Sequence, residues 1–360
     1  MDAIDRVVTA GIEEGGFPGA VVLIVHDGAV LKRAAYGHSL LYRDCQTQQE
    51  APRLMAVDTA FDLASLTKVI VTTTAVMQLV EQGQVSLNAP VATYLPGFAR
   101  SGKRMVTVRQ LLSHIGGLPA GRPFYQRLHG ADAIVDAVER TRLVATPGTQ
   151  VIYSDLGFIA LGALVARVTE MPLDHYAEAS IFQPLGMRST GYRPDPTQRF
   201  TTSATEYQRG RGLIWGSVHD ENAAAMGGVS GHAGLFGTIT DLEIFVTTLL
   251  REGVHGPTQI LKPDTMEAMS TLQTGALLPG RALGWQYRDT TYMGTRTSPH
   301  TVGHTGFTGT SIVLDLARHL GVVLLTNRVH PSRLGPVIAP TRNAVADAAV
   351  TLYHDAGHHT

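Results

Sequence analysis

The four residues Ser65-Leu66-Thr67-Lys68 stand at the head of an apolar run, FDLASLTKVIVTTTAVMQLVEQG. If that run is helical, residues three apart share a face, so the Ser65 hydroxyl and the Lys68 amine can meet. A serine hydroxyl is a weak nucleophile until a neighbour takes its proton. A lysine held in apolar surroundings loses basicity and can be that neighbour. A helix start also offers free backbone N–H groups and a field that favours negative charge. With 15 serines and four lysines in 360 residues, chance gives roughly 0.2 such pairs. Arginine outnumbers lysine 25 to 4, which makes lysine the unusual choice here. The competing interpretation is an N-cap serine beside a lysine that snorkels to solvent.

Two further segments carry chemistry. In PGTQVIYSDLGFIALG, Tyr153 directly precedes a helix expected to begin near Ser154, where its hydroxyl can be presented to a cleft. A core tyrosine with its hydroxyl at the surface fits the same pattern. In GHTGFTGTS, His304, Thr305 and Gly306 open a strand pair, and a glycine there lets a ligand approach the backbone. A glycine-rich turn with an exposed histidine is the alternative.

Together, and in this order, Ser65-Leu66-Thr67-Lys68, Tyr153-Ser154-Asp155 and His304-Thr305-Gly306 resemble the three motifs of the active-site serine penicillin-recognising enzymes. Those motifs are Ser-x-x-Lys, Tyr-x-Asn and Lys-Thr-Gly. The branch most similar is that of the class C β-lactamase relatives, which includes D,D-peptidases, family VIII carboxylesterases and cell-wall amidases. LLSHIGGLP and GGVSGHAGLFGT resemble further segments of that branch, so the likeness runs over nearly the whole chain.

The resemblance implies that Ser65 forms an acyl-enzyme and that Lys68 is the base for acylation. Tyr153 would relay a proton to the leaving group and help activate the deacylating water. The backbone N–H groups of Ser65 and Phe307 would form the oxyanion hole. His304 would line the cleft beside Tyr153, with Asp155, Thr305 and Gly306 contacting substrate. Two residues depart from the pattern. Asp155 stands in place of asparagine, and an ionised carboxylate cannot donate to a substrate carbonyl. His304 stands in place of lysine, and a neutral imidazole anchors a carboxylate poorly. Weak β-lactam hydrolysis is therefore expected. Small esters come first as substrates, with D-amino-acid or muropeptide-derived amides and peptides as the alternative.

The elements that must position these residues are legible as strands at both ends and helices between. Asp27-Gly28 flanked by apolar runs predicts a hairpin. Strands are expected at 302–306, 309–315 and 320–327, followed by a helix over 336–354. A first amphipathic helix carries Ile4, Val7, Val8 and Ile12 on one face. Helical patterns occupy 66–82, 107–113, 131–141, 154–170 and 173–182. Another starts at Thr240 with a capping box closed by Glu243. The expected fold is α/β (α+β) and β-lactamase/transpeptidase-like: an antiparallel sheet built from both termini, flanked by helices, with an inserted helical domain. The sheet domain would comprise 1–64 plus 285–360 and the helical one 65–284, with the active site between them.

The near-zero net charge excludes a strong nucleic-acid footprint, and no apolar run is long enough to span a membrane. The N-terminus lacks a secretory pattern, which predicts a cytoplasmic protein, or a periplasmic or secreted one if a signal precedes it. Cys45 is the sole cysteine, so no internal disulfide forms. His219, Asp220 and Glu221 read as a polar cleft wall, and His114 and His232 as hydrogen-bonded structural histidines. Trp215 and Trp285 read as core residues that could instead line the acyl pocket. The terminal His354, His358 and His359 suggest at most an adventitious metal site, and no metal or cofactor is expected. Two other classes remain open: a catalytically silent ligand-binding homologue, and a metallohydrolase indifferent to Ser65. The partner is a small-molecule ester, amide or peptide; oligomeric state is not legible.

Overall fold

A computed structural model describes residues 2–357, so His358 and His359 lie outside the described residues. Seven strands form one antiparallel sheet. They are β1 (Gly19–His26), β2 (Ala29–Tyr42), β3 (Gln48–Leu54), β4 (Gln286–Tyr287), β5 (Thr301–Thr305), β6 (Ser311–Asp315) and β7 (Leu320–Thr326). Their spatial order is β4-β5-β6-β7-β1-β2-β3, so the two ends of the chain meet where β7 pairs with β1. The helices include α1 (Ala3–Glu13), α2 (Thr74–Glu81), α3 (Asp155–Thr169), α4 (Ile239–Leu250) and α5 (Ala339–Asp355).

β1 is buried at all eight residues, because both faces of the sheet are covered. Ala20, Val22 and Ile24 join a core with Ile4, Val8 and Val345 from the terminal helices α1 and α5. Val21, Leu23 and Val25 belong to the larger core that includes Leu242, Phe245 and Val246 of α4 and continues into the helical part. The Asp27-Gly28 hairpin forms as expected: both residues have positive φ, 48° and 79°, as a tight two-residue turn requires.

Two expectations need correction. The helix expected to start at Thr240 begins two residues earlier. Thr238 is its N-cap and accepts from Asp241 N at 3.4 Å, which leaves Glu243 free to pair with Arg33. The edge strand β3 and the two-residue β4 had no sequence expectation. Among the described residues no single helix is long and apolar enough to cross a membrane.

The site is seated where the helical part meets β5. The chain enters it through a short strand, Phe61–Asp62, paired with Leu235–Gly237. A 3-10 turn over Ala64–Leu66 follows, then wide turns over Lys68–Thr73 that run into α2. On the other side, Ser154 caps α3 by accepting from Gly157 N at 3.3 Å, which leaves Tyr153 just ahead of the helix.

Candidate active site

One cavity of about 470 Å³ is lined by Ser65, Tyr153, Asp155, His304, Thr305, Gly306 and Phe307. The same cavity touches His219, Asp220 and Glu221, as the polar-wall reading anticipated. Lys68 lies beneath it, fully buried, and its amine donates to Ser65 Oγ at 2.9 Å. Two more contacts complete the ammonium's three donors: the His232 carbonyl at 3.1 Å and Asp155 Oδ1 at 2.8 Å.

That arrangement overturns the expectation of a weakly basic lysine. Burial does act to lower Lys68, but the negative charge of Asp155 and the contact with Tyr153 outweigh it, and the amine is held above the ordinary lysine range. Asp155 is thus first a counter-ion to Lys68, and its partly exposed side chain also forms cavity wall. Asp155→Asn removes the charge that holds Lys68 protonated and leaves burial dominant, so Lys68 then titrates at lower pH. If the neutral amine is the working base, the acidic limb of kcat/KM moves to lower pH in Asp155→Asn. Superimposable pH profiles for the two proteins would contradict this.

His304 is buried, and its Nδ1 lies 2.9 Å from the Thr305 carbonyl. A carbonyl only accepts, so Nδ1 carries the proton and Nε2 presents a lone pair. Nε2 has no hydrogen-bond partner among the described residues. Burial, followed by the charges of Lys68 and Arg281, pushes His304 well below the usual histidine range, so the ring is neutral. Its centroid lies 5.9 Å from that of Tyr153. Gly306 is dictated by packing: a Cβ there would stand 2.1 Å from Thr310 Oγ1 and 2.7 Å from the Leu63 carbonyl. The Phe307 N–H has no acceptor among the described residues. Ser65, in the opening turn, has no preceding helical carbonyl to occupy its N–H.

Two supporting residues have more to do than their sequence context suggested. His114 accepts from Ser154 N at 3.0 Å through Nδ1 and lies 4.6 Å from the Tyr153 ring, so it sets where that ring stands. His232 lends its carbonyl to Lys68, while its own ring sits between Ser230 Oγ at 2.7 Å and Asp220 Oδ1 at 2.9 Å. Trp285 is core, and Trp215 donates to the Thr202 carbonyl away from the cavity.

Sequence reasoning missed Arg281. Its guanidinium lines the cavity, is 6% exposed, and lies 5.4 Å from the Tyr153 ring centroid. No carboxylate pairs with it among the described residues. Arg342 also lines the cavity and spends its contacts on the Gly306 and Thr310 carbonyls, at 3.1 and 2.9 Å. Burial lowers Arg342 to about 10, which still leaves it charged at neutral pH. The available signal was an arginine set in an otherwise apolar stretch, RALGW. Among the described residues no cluster of three or more histidine, cysteine or acidic side chains is arranged to hold a metal ion.

A helix-covered antiparallel sheet with a cavity-lining serine hydrogen-bonded to a buried lysine defines a serine hydrolase of the β-lactamase/transpeptidase kind. A family model described as Beta-lactamase matches residues 4–347. The chain belongs to this family. It is 34% identical to a protein of Escherichia coli (strain K12) named "Putative D-alanyl-D-alanine carboxypeptidase", over 95% of this chain and 85% of that one. It is also 34% identical to an N-acetylmuramyl-L-alanine amidase of Bacillus subtilis (strain 168), over 94% and 82%. Among solved structures, EstCE1, a hydrolase with promiscuous acyltransferase activity, superposes with a TM-score of 0.76 at 25% identity, covering 96% and 97%. A class C β-lactamase from Rhodobacter sphaeroides gives a TM-score of 0.75 at 21% identity, covering 99% and 100%, which supports the shared fold.

Proposed function

We propose that the protein hydrolyses small carboxylate-bearing amides through an acyl-Ser65 intermediate, with D-amino-acid or muropeptide-derived peptides as the substrate class. The observation that carries this is Arg281: a buried guanidinium with no carboxylate partner among the described residues, in the wall of the cavity that holds Ser65. A buried cation needs a counter-charge, and a substrate carboxylate supplies one through charge-assisted hydrogen bonds. Arg281 and Arg342 together supply the positive charge that His304 cannot. A cavity of about 470 Å³ suits a ligand of dipeptide size. The names of the two similar proteins from E. coli and B. subtilis point to the same substrate class.

In this mechanism Ser65 Oγ attacks the scissile carbonyl and its proton passes to Lys68. Lys68 must first be neutral, so activity rises with pH until the amine has titrated. The oxyanion is received by the N–H groups of Ser65 and Phe307. Tyr153, beside Lys68, carries a proton to the leaving nitrogen and later orients the water that releases the acyl group. His304 and His114 hold the Tyr153 ring between them.

The second reading is a carboxylesterase, favoured by the 25% identity and whole-chain superposition with EstCE1. The two separate on one comparison: kcat/KM for an acyl-D-alanyl-D-alanine peptide, for its C-terminal amide, and for an aryl ester. The free carboxylate is expected to raise kcat/KM by about 10–100-fold over the amide. Arg281→Gln should erase that preference and lower the peptide rate more than the ester rate. Turnover of the ester alone, with no carboxylate preference, would favour the esterase.

A further inference from the structure

We propose that Asp62 is a positioning residue that sets the spacing between the two oxyanion-binding N–H groups, those of Ser65 and Phe307. The inference rests on the acyl-Ser65 reading above and goes beyond it, because Asp62 does not line the cavity.

The residue before the nucleophile, Ala64, has φ of +46°. A residue with a Cβ occupies that left-handed region at a cost, and persists there only when its surroundings over-determine it. Asp62 supplies the determination. Its side chain is 2% exposed. Oδ1 accepts from Ala64 N at 2.8 Å and Oδ2 accepts from His219 N at 2.7 Å. Two N–H groups from segments more than 150 residues apart thus share one carboxylate. Only a carboxylate meets both, because asparagine would offer one oxygen and set an NH2 group against the other N–H.

The same turn is gripped from the opposite side. Thr308 Oγ1 donates to the Asp62 carbonyl at 2.7 Å, and Thr310 Oγ1 donates to the Leu63 carbonyl at 3.1 Å. Both threonines belong to the β5–β6 turn that carries Phe307. The His219 ring then stacks on the Phe307 ring, with centroids 5.6 Å apart and planes at 25°. The Asp62 residue therefore joins three pieces: the nucleophile turn, the His219 segment and the turn bearing the second N–H. An oxyanion hole works only when both donors lie within hydrogen-bond reach of the developing charge, and a misplacement of about 1 Å costs on the order of 100-fold.

The test is Asp62→Asn, with active sites counted by a serine-directed phosphonate so that rates refer to folded, competent enzyme. The expected result is a kcat about 30–100-fold lower per titrated site, with KM within about threefold. Affinity for a boronic acid that forms a tetrahedral adduct on Ser65 should fall by the same factor. Adding Ala64→Gly to Asp62→Asn should recover at least about tenfold of both, because glycine takes positive φ without strain. A purely structural role would lower the number of titratable sites and leave kcat per site unchanged, and that outcome overturns the proposal. So does a fall in kcat unmatched by boronate affinity, or no recovery with glycine. Should Asp62→Asn yield no folded protein, the near-isosteric Thr308→Val removes the grip from the other side. It should show the same split at about tenfold, and an unchanged kcat per site there rejects the idea. Failure of the acyl-Ser65 reading itself would look different: Ser65→Ala would keep its activity.

Discussion

Ser65→Ala should lower kcat/KM for any ester or amide substrate by roughly 10⁴-fold or more, while the protein remains folded. The reason is chemical: without Oγ no acyl-enzyme forms, and what survives is whatever the oxyanion N–H groups do for a passing water. The fold should tolerate the change. Ser65 Oγ is one of three acceptors on Lys68, and the His232 carbonyl and Asp155 remain. Loss of a single hydrogen bond is worth about 1 kcal/mol, a small part of the stability of a chain this size. Steady-state rates beside a thermal melt check both halves. A variant with substantial residual turnover would move the chemistry away from Ser65, as the metallohydrolase reading requires.

Lys68→Met should cost nearly as much activity, about 10²–10⁴-fold, and should also cost stability. Methionine fills a similar volume but accepts no proton and carries no charge. Breaking a fully buried ion pair by removing one partner costs about 3–5 kcal/mol, because the other charge is stranded. Here Asp155 is 32% exposed at its side chain and can turn to water, so the smaller figure of about 1–3 kcal/mol is expected. The informative comparison is with Asp155→Asn, which strands Lys68 instead. Lys68→Met should lose activity at every pH, whereas Asp155→Asn should only shift the profile. If Lys68→Met retained turnover at high pH, hydroxide or Tyr153 would have to be the base.

Much of this was visible in the sequence where the signal was local. The Asp27-Gly28 hairpin, the apolar helix α3 with Ser154 as its cap, and the Ser65–Lys68 spacing are all written into short stretches. β3 was hidden because QQEAPRL is polar and contains a proline, and an edge strand paired on one side needs no apolar face. The shift of the α4 cap from Thr240 to Thr238 reflects two threonines two residues apart, each able to cap; tertiary fit decided between them.

The site divides along the same line. Ser65, Tyr153, His304 and Phe307 fall where their motifs implied, around one cavity. The charge state of Lys68 was not legible, because the motif sets Asp155 against an asparagine and only the fold brings it 2.8 Å from the amine as a counter-ion. Arg281 lies 128 positions beyond Tyr153, whose ring it covers, and no spacing rule links residues so far apart. Asp62 was in plain view beside Ser65, yet its second partner, His219, lies in another segment.

The most direct test of the central claim is the intact mass of the protein after incubation with an aryl phosphonate, for the parent and for Ser65→Ala. One adduct on the parent and none on the variant is the predicted result, and it would fix Ser65 as the group that is acylated. Adduct on both proteins, or on neither, would contradict an acyl-Ser65 enzyme and leave the cavity as a binding site of another kind.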